Sequence, residues 1–140
     1  MFNRAIIPKI LSIIPDDTIL TRTFVICYLY YLDKKIKPGC LEVEWQIQDV
    51  YYPMSKEITQ SFDELGCLRP LKATYHNDTS FRDNVENKLS DELKEAFEIF
   101  TKEISSYSSY DDFAKLKSAA IKIMISERKG WHSPYSLYII

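Results

Sequence analysis

The sequence predicts a mostly helical α+β domain of the winged-helix type, with five to six helices and a small β-hairpin wing. Three observations lead there. Glycine and proline are scarce, at three and six among 140 residues, which favours helices joined by short connections. The stretch Tyr51–Tyr75 reads Y-Y-P-M-S-K-E-I-T-Q-S-F-D-E-L-G-C-L-R-P-L-K-A-T-Y, a helical pattern followed by an alternating run. Apolar residues make up 46% and charged residues 27%, the balance of a chain that buries one core. Residues 1–140 are therefore expected to form a single domain, ending in an apolar tail over 131–140.

Asn3 is placed to cap a first helix over about residues 4–14. Pro8, tolerated in a first turn, moves the start towards residue 7. Pro15-Asp16-Asp17-Thr18 reads as a turn and the next cap. A second helix over about 19–35 sets Leu20, Phe24, Cys27, Tyr28, Tyr31 and Leu32 on one side. Ile26, Leu29 and Tyr30 widen that stripe, as in a central helix. Lys34 and Lys35 suit its C-terminal dipole, and Lys37-Pro38-Gly39 is a break.

Residues 41–51 admit two readings. One is a helix with Leu41, Trp45, Gln48 and Tyr52 on a face; the other is an alternating strand, Leu41-Val43-Trp45-Ile47. The helix is preferred because Glu and Gln occupy the intervening sites. Pro53 closes that segment and Ser55 caps a helix over 55–65. Ile58, Phe62 and Leu65 recur there at i, i+4 and i+7, with Gly66 at the stop. Strands over about 68–75 and 79–85, joined at His76-Asn77-Asp78, form the wing, and Pro70 restricts the first to an edge. Ser90 caps a fifth helix with the stripe Leu93, Ala96, Phe97, Phe100 and Ile104. Ser109 caps a last one over 110–129, with Phe113, Leu116, Ala120, Ile123 and Met124 inward.

Charge separates the candidate partners. Residues 1–40 carry +3, 41–67 carry −5, 68–88 carry +1 and 89–140 carry −1, for a net of −2. The acidic block sets Glu42, Glu44, Asp49, Glu57, Asp63 and Glu64 against Lys56 alone. It falls on the helix that a DNA-reading winged helix would lay in the major groove. Duplex DNA carries a negative charge about every 1.7 Å, so that face is repelled. Lys56, with Arg69, Lys72 and Arg82 in the wing, are the candidate nucleic-acid contacts, and DNA is the less favoured partner. The favoured partner is another protein, in a hetero-complex or a homodimer. Its candidate contacts are Glu57, Asp63 and Glu64, together with Trp131, Tyr135 and Tyr138 of the tail. Tryptophan and tyrosine are the residue types that anchor interfaces.

Several chemistries lack their parts. Cys27, Cys40 and Cys67 are odd in number and contain no C-x-x-C, which predicts free thiols in a reducing cytoplasm. His76 and His132 are far apart, so no metal site is expected. There is no G-x-S-x-G elbow and no glycine-rich phosphate loop, so neither an enzyme nor a cofactor is expected. Pro8 and Lys9 interrupt the N-terminal apolar run, and Thr21, Arg22 and Thr23 interrupt Ile19–Leu32. Neither a leader nor a membrane span is predicted.

The run Y-Y-P-M-S-K-E-I-T-Q-S-F-D-E-L-G-C-L resembles the tyrosine-(Gly)-Pro-aromatic-Ser segment of phage-associated Panacea-type proteins, and F-V-I-C-Y-L-Y-Y-L-D-K-K is similar to their first core helix. The chain departs from the family at Tyr52, where it favours glycine, and at Met54, where it favours an aromatic. The same winged-helix pattern resembles small middle subunits of bacterial defence complexes. The resemblance implies an antitoxin-like or accessory protein. The expected function is therefore a non-catalytic adaptor that binds another protein in an anti-phage defence or toxin-neutralising complex. A winged-helix DNA-binding regulator and an immunity protein masking a basic toxin are the alternatives.

Overall fold

A helix apolar on every side has to be surrounded by other elements. In the computed structural model, which describes residues 2–15, 21–64 and 89–128, that helix is α2, Arg22–Tyr31, and every residue from Phe24 to Tyr31 is buried. It runs on into a π-turn over Leu32–Ile36, where the Lys37 amide donates to the Leu32 carbonyl at 3.0 Å. Gly39, at φ 79°, supplies the left-handed residue beyond it. The other helices are α1 (Ile6–Ile13), α3 (Lys56–Glu64), α4 (Asp91–Ile104) and α5 (Tyr110–Glu127). The α5 helix packs along α2, α4 packs on the π-turn, and α1 meets both α2 and α4. One cluster of buried side chains draws on all five helices.

Tyr28 stands at the centre of that cluster. Its ring lies 6.1 Å from Phe100 of α4 and 6.5 Å from Phe113 of α5, and edge-on to Phe24 at 6.1 Å. Such pairs contribute about 0.5–1.5 kcal/mol beyond area burial. A buried hydroxyl must find an acceptor. Tyr28 donates to the Phe113 carbonyl at 2.9 Å, Tyr30 to Glu127 Oε2 at 3.0 Å, and Tyr31 to Glu103 Oε1. Burial raises all three phenols above their ordinary 10.0 and pushes the Cys27 thiol up to about 12.

Helix starts follow local chemistry. Ser55 Oγ accepts from the Ile58 amide at 3.4 Å and Ser90 Oγ from the Leu93 amide at 3.3 Å. Ahead of α5, the Asp112 carboxylate accepts from the amides of Ser108 and Ser109 at 2.9 and 3.3 Å. The Ser108 bond is the main reason that carboxyl is held below its ordinary value. Asn3 Oδ1 takes the Ala5 amide at 3.1 Å, and the helix begins at Ile6 with Pro8 still in its first turn. Thr21 is extended, at φ −98° and ψ 169°, so α2 begins at Arg22 rather than near residue 19.

The winged-helix expectation is overturned: the regular elements of the described residues are all helices, with no strand, only an isolated antiparallel bridge between Gln46 and Met54. The expected wing strands, 68–75 and 79–85, lie outside the described residues. The helix preferred for 41–51 is also absent. Glu42 and Asp49 take φ of 54° and 57°, which neither a helix nor a strand admits. The Ile47 carbonyl, which such a helix would pair with the Tyr51 amide, accepts instead from the Arg128 guanidinium, as does the Val50 carbonyl. Without that helix, α3 has no preceding helix to form a helix-turn-helix pair. Among the described residues no helix is long and apolar enough to cross a membrane.

Two outcomes follow from this core. Tyr28→Phe removes one buried hydrogen bond and should lower the urea-unfolding free energy by about 1 kcal/mol at unchanged m-value. The folded protein also holds the Cys27 and tyrosine protons more tightly than the unfolded chain does. Stability should therefore be intact below the ordinary values of 9.0 for the thiol and 10.0 for the phenol, and fall as pH rises beyond them. Part of the tyrosinate absorbance should rise only together with the loss of the far-UV circular dichroism; complete ionisation of the tyrosines while the helical signal persists would contradict this.

Candidate protein-interaction surface

Residues 37–55 leave the π-turn without regular structure, so their backbone groups need partners from elsewhere. Asp33, 3% exposed, supplies the first: its Oδ1 accepts from the Leu41 amide at 2.9 Å and its Oδ2 from the Trp45 indole N–H at 2.7 Å. The Asp33 carbonyl also takes the Gly39 amide at 2.9 Å. The Trp45 ring stands edge-on to Tyr30 at 4.9 Å. At the other end Arg128, 9% exposed, donates its Nε to the Ile47 carbonyl at 2.6 Å and its Nη2 to Val50. Between these clamps Gln46 and Met54 exchange amide-to-carbonyl bonds of 2.7 and 3.1 Å. The result is a loop fixed from the inside by one buried anion and one buried cation.

What the loop presents outward is apolar and acidic. Tyr51 is 72% exposed and Met54 38%. Glu44, Asp49, Lys56 and Glu57 are exposed beside them in sequence. Trp45, Met54 and Glu57 help to line a groove of about 350 Å³. A second groove, of about 670 Å³, runs along the other side of α3 between Glu57, Glu64 and Arg4.

The residues singled out from the sequence divide in three. Glu57 and Lys56 sit exposed on the first turn of α3, and Glu57 Oε2 accepts from the Glu44 amide at 3.4 Å. Asp63 and Glu64 lie on its last turn and are matched within the chain: Asp63 pairs with Arg22 at 2.9 Å and Glu64 with Arg4 at 2.7 Å. Such exposed pairs contribute little stability, about 0–1 kcal/mol, yet they cancel charge. Arg69, Lys72, Arg82, Trp131, Tyr135 and Tyr138 lie outside the described residues, as does Cys67. Asp33, Trp45, Tyr51, Met54 and Arg128 were not anticipated as site residues. A signal existed for two of them. Arg128 continues the inward series Leu116, Ala120, Met124 at four-residue spacing, and Asp33 follows Leu29 by four.

Cys40 is half-buried with Sγ 3.9 Å from the Leu32 carbonyl; burial, then the Asp33 charge, pushes its thiol up to about 12, away from nucleophilic use. Among the described residues no group of three or more His, Cys, Asp or Glu could hold a metal ion. Comparison with protein-family models, curated proteins and solved structures finds no match to this chain.

The two clamps should be separable by hydrogen exchange. Asp33→Asn turns an amide N–H₂ towards one of two donors, so it should cost about 2 kcal/mol and speed exchange across 39–46. Arg128→Met should speed exchange at 46–54 while α2 amides keep their protection. Unchanged loop protection in both variants would show that the loop is held by other contacts.

Proposed function

We propose that this chain is a non-catalytic, protein-binding subunit that docks through the 42–55 loop and the first turn of α3. One observation carries the reading: a buried carboxylate and a buried guanidinium fix a loop that holds Tyr51 72% exposed. Exposing an aromatic on a rigid support is unfavourable for the free protein and favourable for a complex, because little ordering cost remains on binding. Tyrosine on such a support has the character of an interface anchor.

The electrostatics narrow the surface. Asp63 and Glu64 are matched by Arg22 and Arg4, so acidic character available to a partner concentrates at Glu44, Asp49 and Glu57, against Lys56. That balance supports a protein partner over nucleic acid. A place in a toxin-neutralising complex rests on the resemblance of the Tyr51–Leu68 and Phe24–Lys35 runs; a place in an anti-phage defence complex rested on the winged-helix pattern, which the described residues do not show.

The test is affinity purification of the tagged chain from its native host, in parallel with Tyr51→Ala/Met54→Ala and with a chain lacking residues 131–140. A stoichiometric partner should co-elute with the unaltered chain and fall at least tenfold with the double variant. Retention by the double variant but loss with the shortened chain would move the interface to the tail. Elution of the unaltered chain alone would refute the adaptor reading.

A further inference from the structure

The four exposed carboxylates on or beside α3 are not equivalent. Asp63 and Glu64, on the last turn, each have an arginine at 2.9 and 2.7 Å. Glu44 and Glu57 have no ion pair among the described residues; their one mutual contact is the Glu44 amide on Glu57 Oε2 at 3.4 Å. These two unmatched carboxylates line the same groove, of about 350 Å³, between residues 44–46 and 54–57. Its apolar part is Trp45 and Met54. The volume lies at the small end of ligand clefts, about 300–1,000 Å³, which suits a few side chains rather than a helix. Its walls are set before any ligand arrives. The Trp45 indole is held by Asp33 at 2.7 Å and packs edge-on against Tyr30, and the Gln46–Met54 bridge ties the two sides together.

We infer that this groove receives a linear segment of the partner protein that presents an apolar side chain flanked by lysine or arginine. The apolar side chain packs on Trp45 and Met54, and the base lies between Glu44 and Glu57, supplying the cation that those carboxylates lack within the described chain. Lys56, on the same rim, sets the direction: the basic residue sits away from it and an acidic or neutral residue towards it. The inference rests on the reading of the chain as a protein-binding subunit and adds the chemistry of what is bound.

The probe is a phage-displayed library of random decapeptides selected on the full-length protein. Selection should enrich peptides joining at least one base to a large apolar residue. Synthesised hits should bind at least tenfold more weakly to Glu57→Lys and more weakly at high salt, as a partly exposed ion pair requires. Glu57→Gln should fall between the two. Amide shifts on titration should centre on residues 44–46 and 54–57. No enrichment, enrichment of peptides without a base, or equal binding to Glu57→Lys would overturn the proposal. So would concentration-dependent self-association that Glu57→Lys abolishes, which would assign the groove to a second copy. If the native partner is lost with Tyr51→Ala/Met54→Ala but kept by Glu57→Lys, the groove assignment fails and the adaptor reading stands.

Discussion

Surrounding α2 with protein on every side imposes a polar obligation. Tyr28 carries its hydroxyl into the interior, where a donor left unsatisfied costs about 1–3 kcal/mol, and Tyr30 and Tyr31 carry theirs to part-buried acceptors nearer the surface. The acceptors are a carbonyl and a carboxylate of α5 and a carboxylate of α4. Those three bonds fix where α4 and α5 lie along α2, in a way that apolar contact alone would not. Non-directional burial would allow many sliding arrangements, whereas three short bonds from adjacent turns select one. The placement of Glu127, and hence of Arg128 beside it, follows from the Tyr30 hydroxyl.

From that placement the exposed surface is built outward. Asp33 lies on the turn after α2, and Arg128 lies just past α5. Both of these buried charged groups hydrogen-bond to one irregular loop. Burying a charge is costly unless its hydrogen-bonding capacity is filled, and substituting apolar groups is often neutral or stabilising. Two such groups on one loop are therefore poorly explained by stability and well explained by the geometry they impose, including the left-handed Glu42 and Asp49.

Local determinants made the helices legible. Ser55, Ser90 and the Ser109–Asp112 pair act within four residues of themselves, and the buried sides of α3 and α4 follow from Ile58, Phe62, Leu93, Ala96 and Phe100. The 41–55 segment was illegible for the opposite reason. Its alternation of Leu41, Val43, Trp45 and Ile47 suits a strand, its Glu and Gln suit a helix, and its conformation is decided by Asp33 and Arg128, up to 81 residues away. The winged-helix pattern failed at the same place, because it needed a helix before α3. The acidic character of α3 was read from composition, but its division into matched and unmatched carboxylates depends on Arg4 and Arg22, distant in sequence.

The Arg128 clamp also orders events in time. The carbonyls of Ile47 and Val50 wait for a guanidinium made 81 and 78 residues later, after the whole of α5 has been synthesised. Contacts of that separation form late, since the intervening chain must first be ordered. On the ribosome, the Asp33 end of the loop finds its partners within 12 residues, while the Tyr51 end stays unset until synthesis passes residue 128, as does the Tyr30 hydroxyl that ends on Glu127. The surface proposed for recognition thus matures only together with the end of α5, and a chain that stops before residue 128 cannot present it in its finished form.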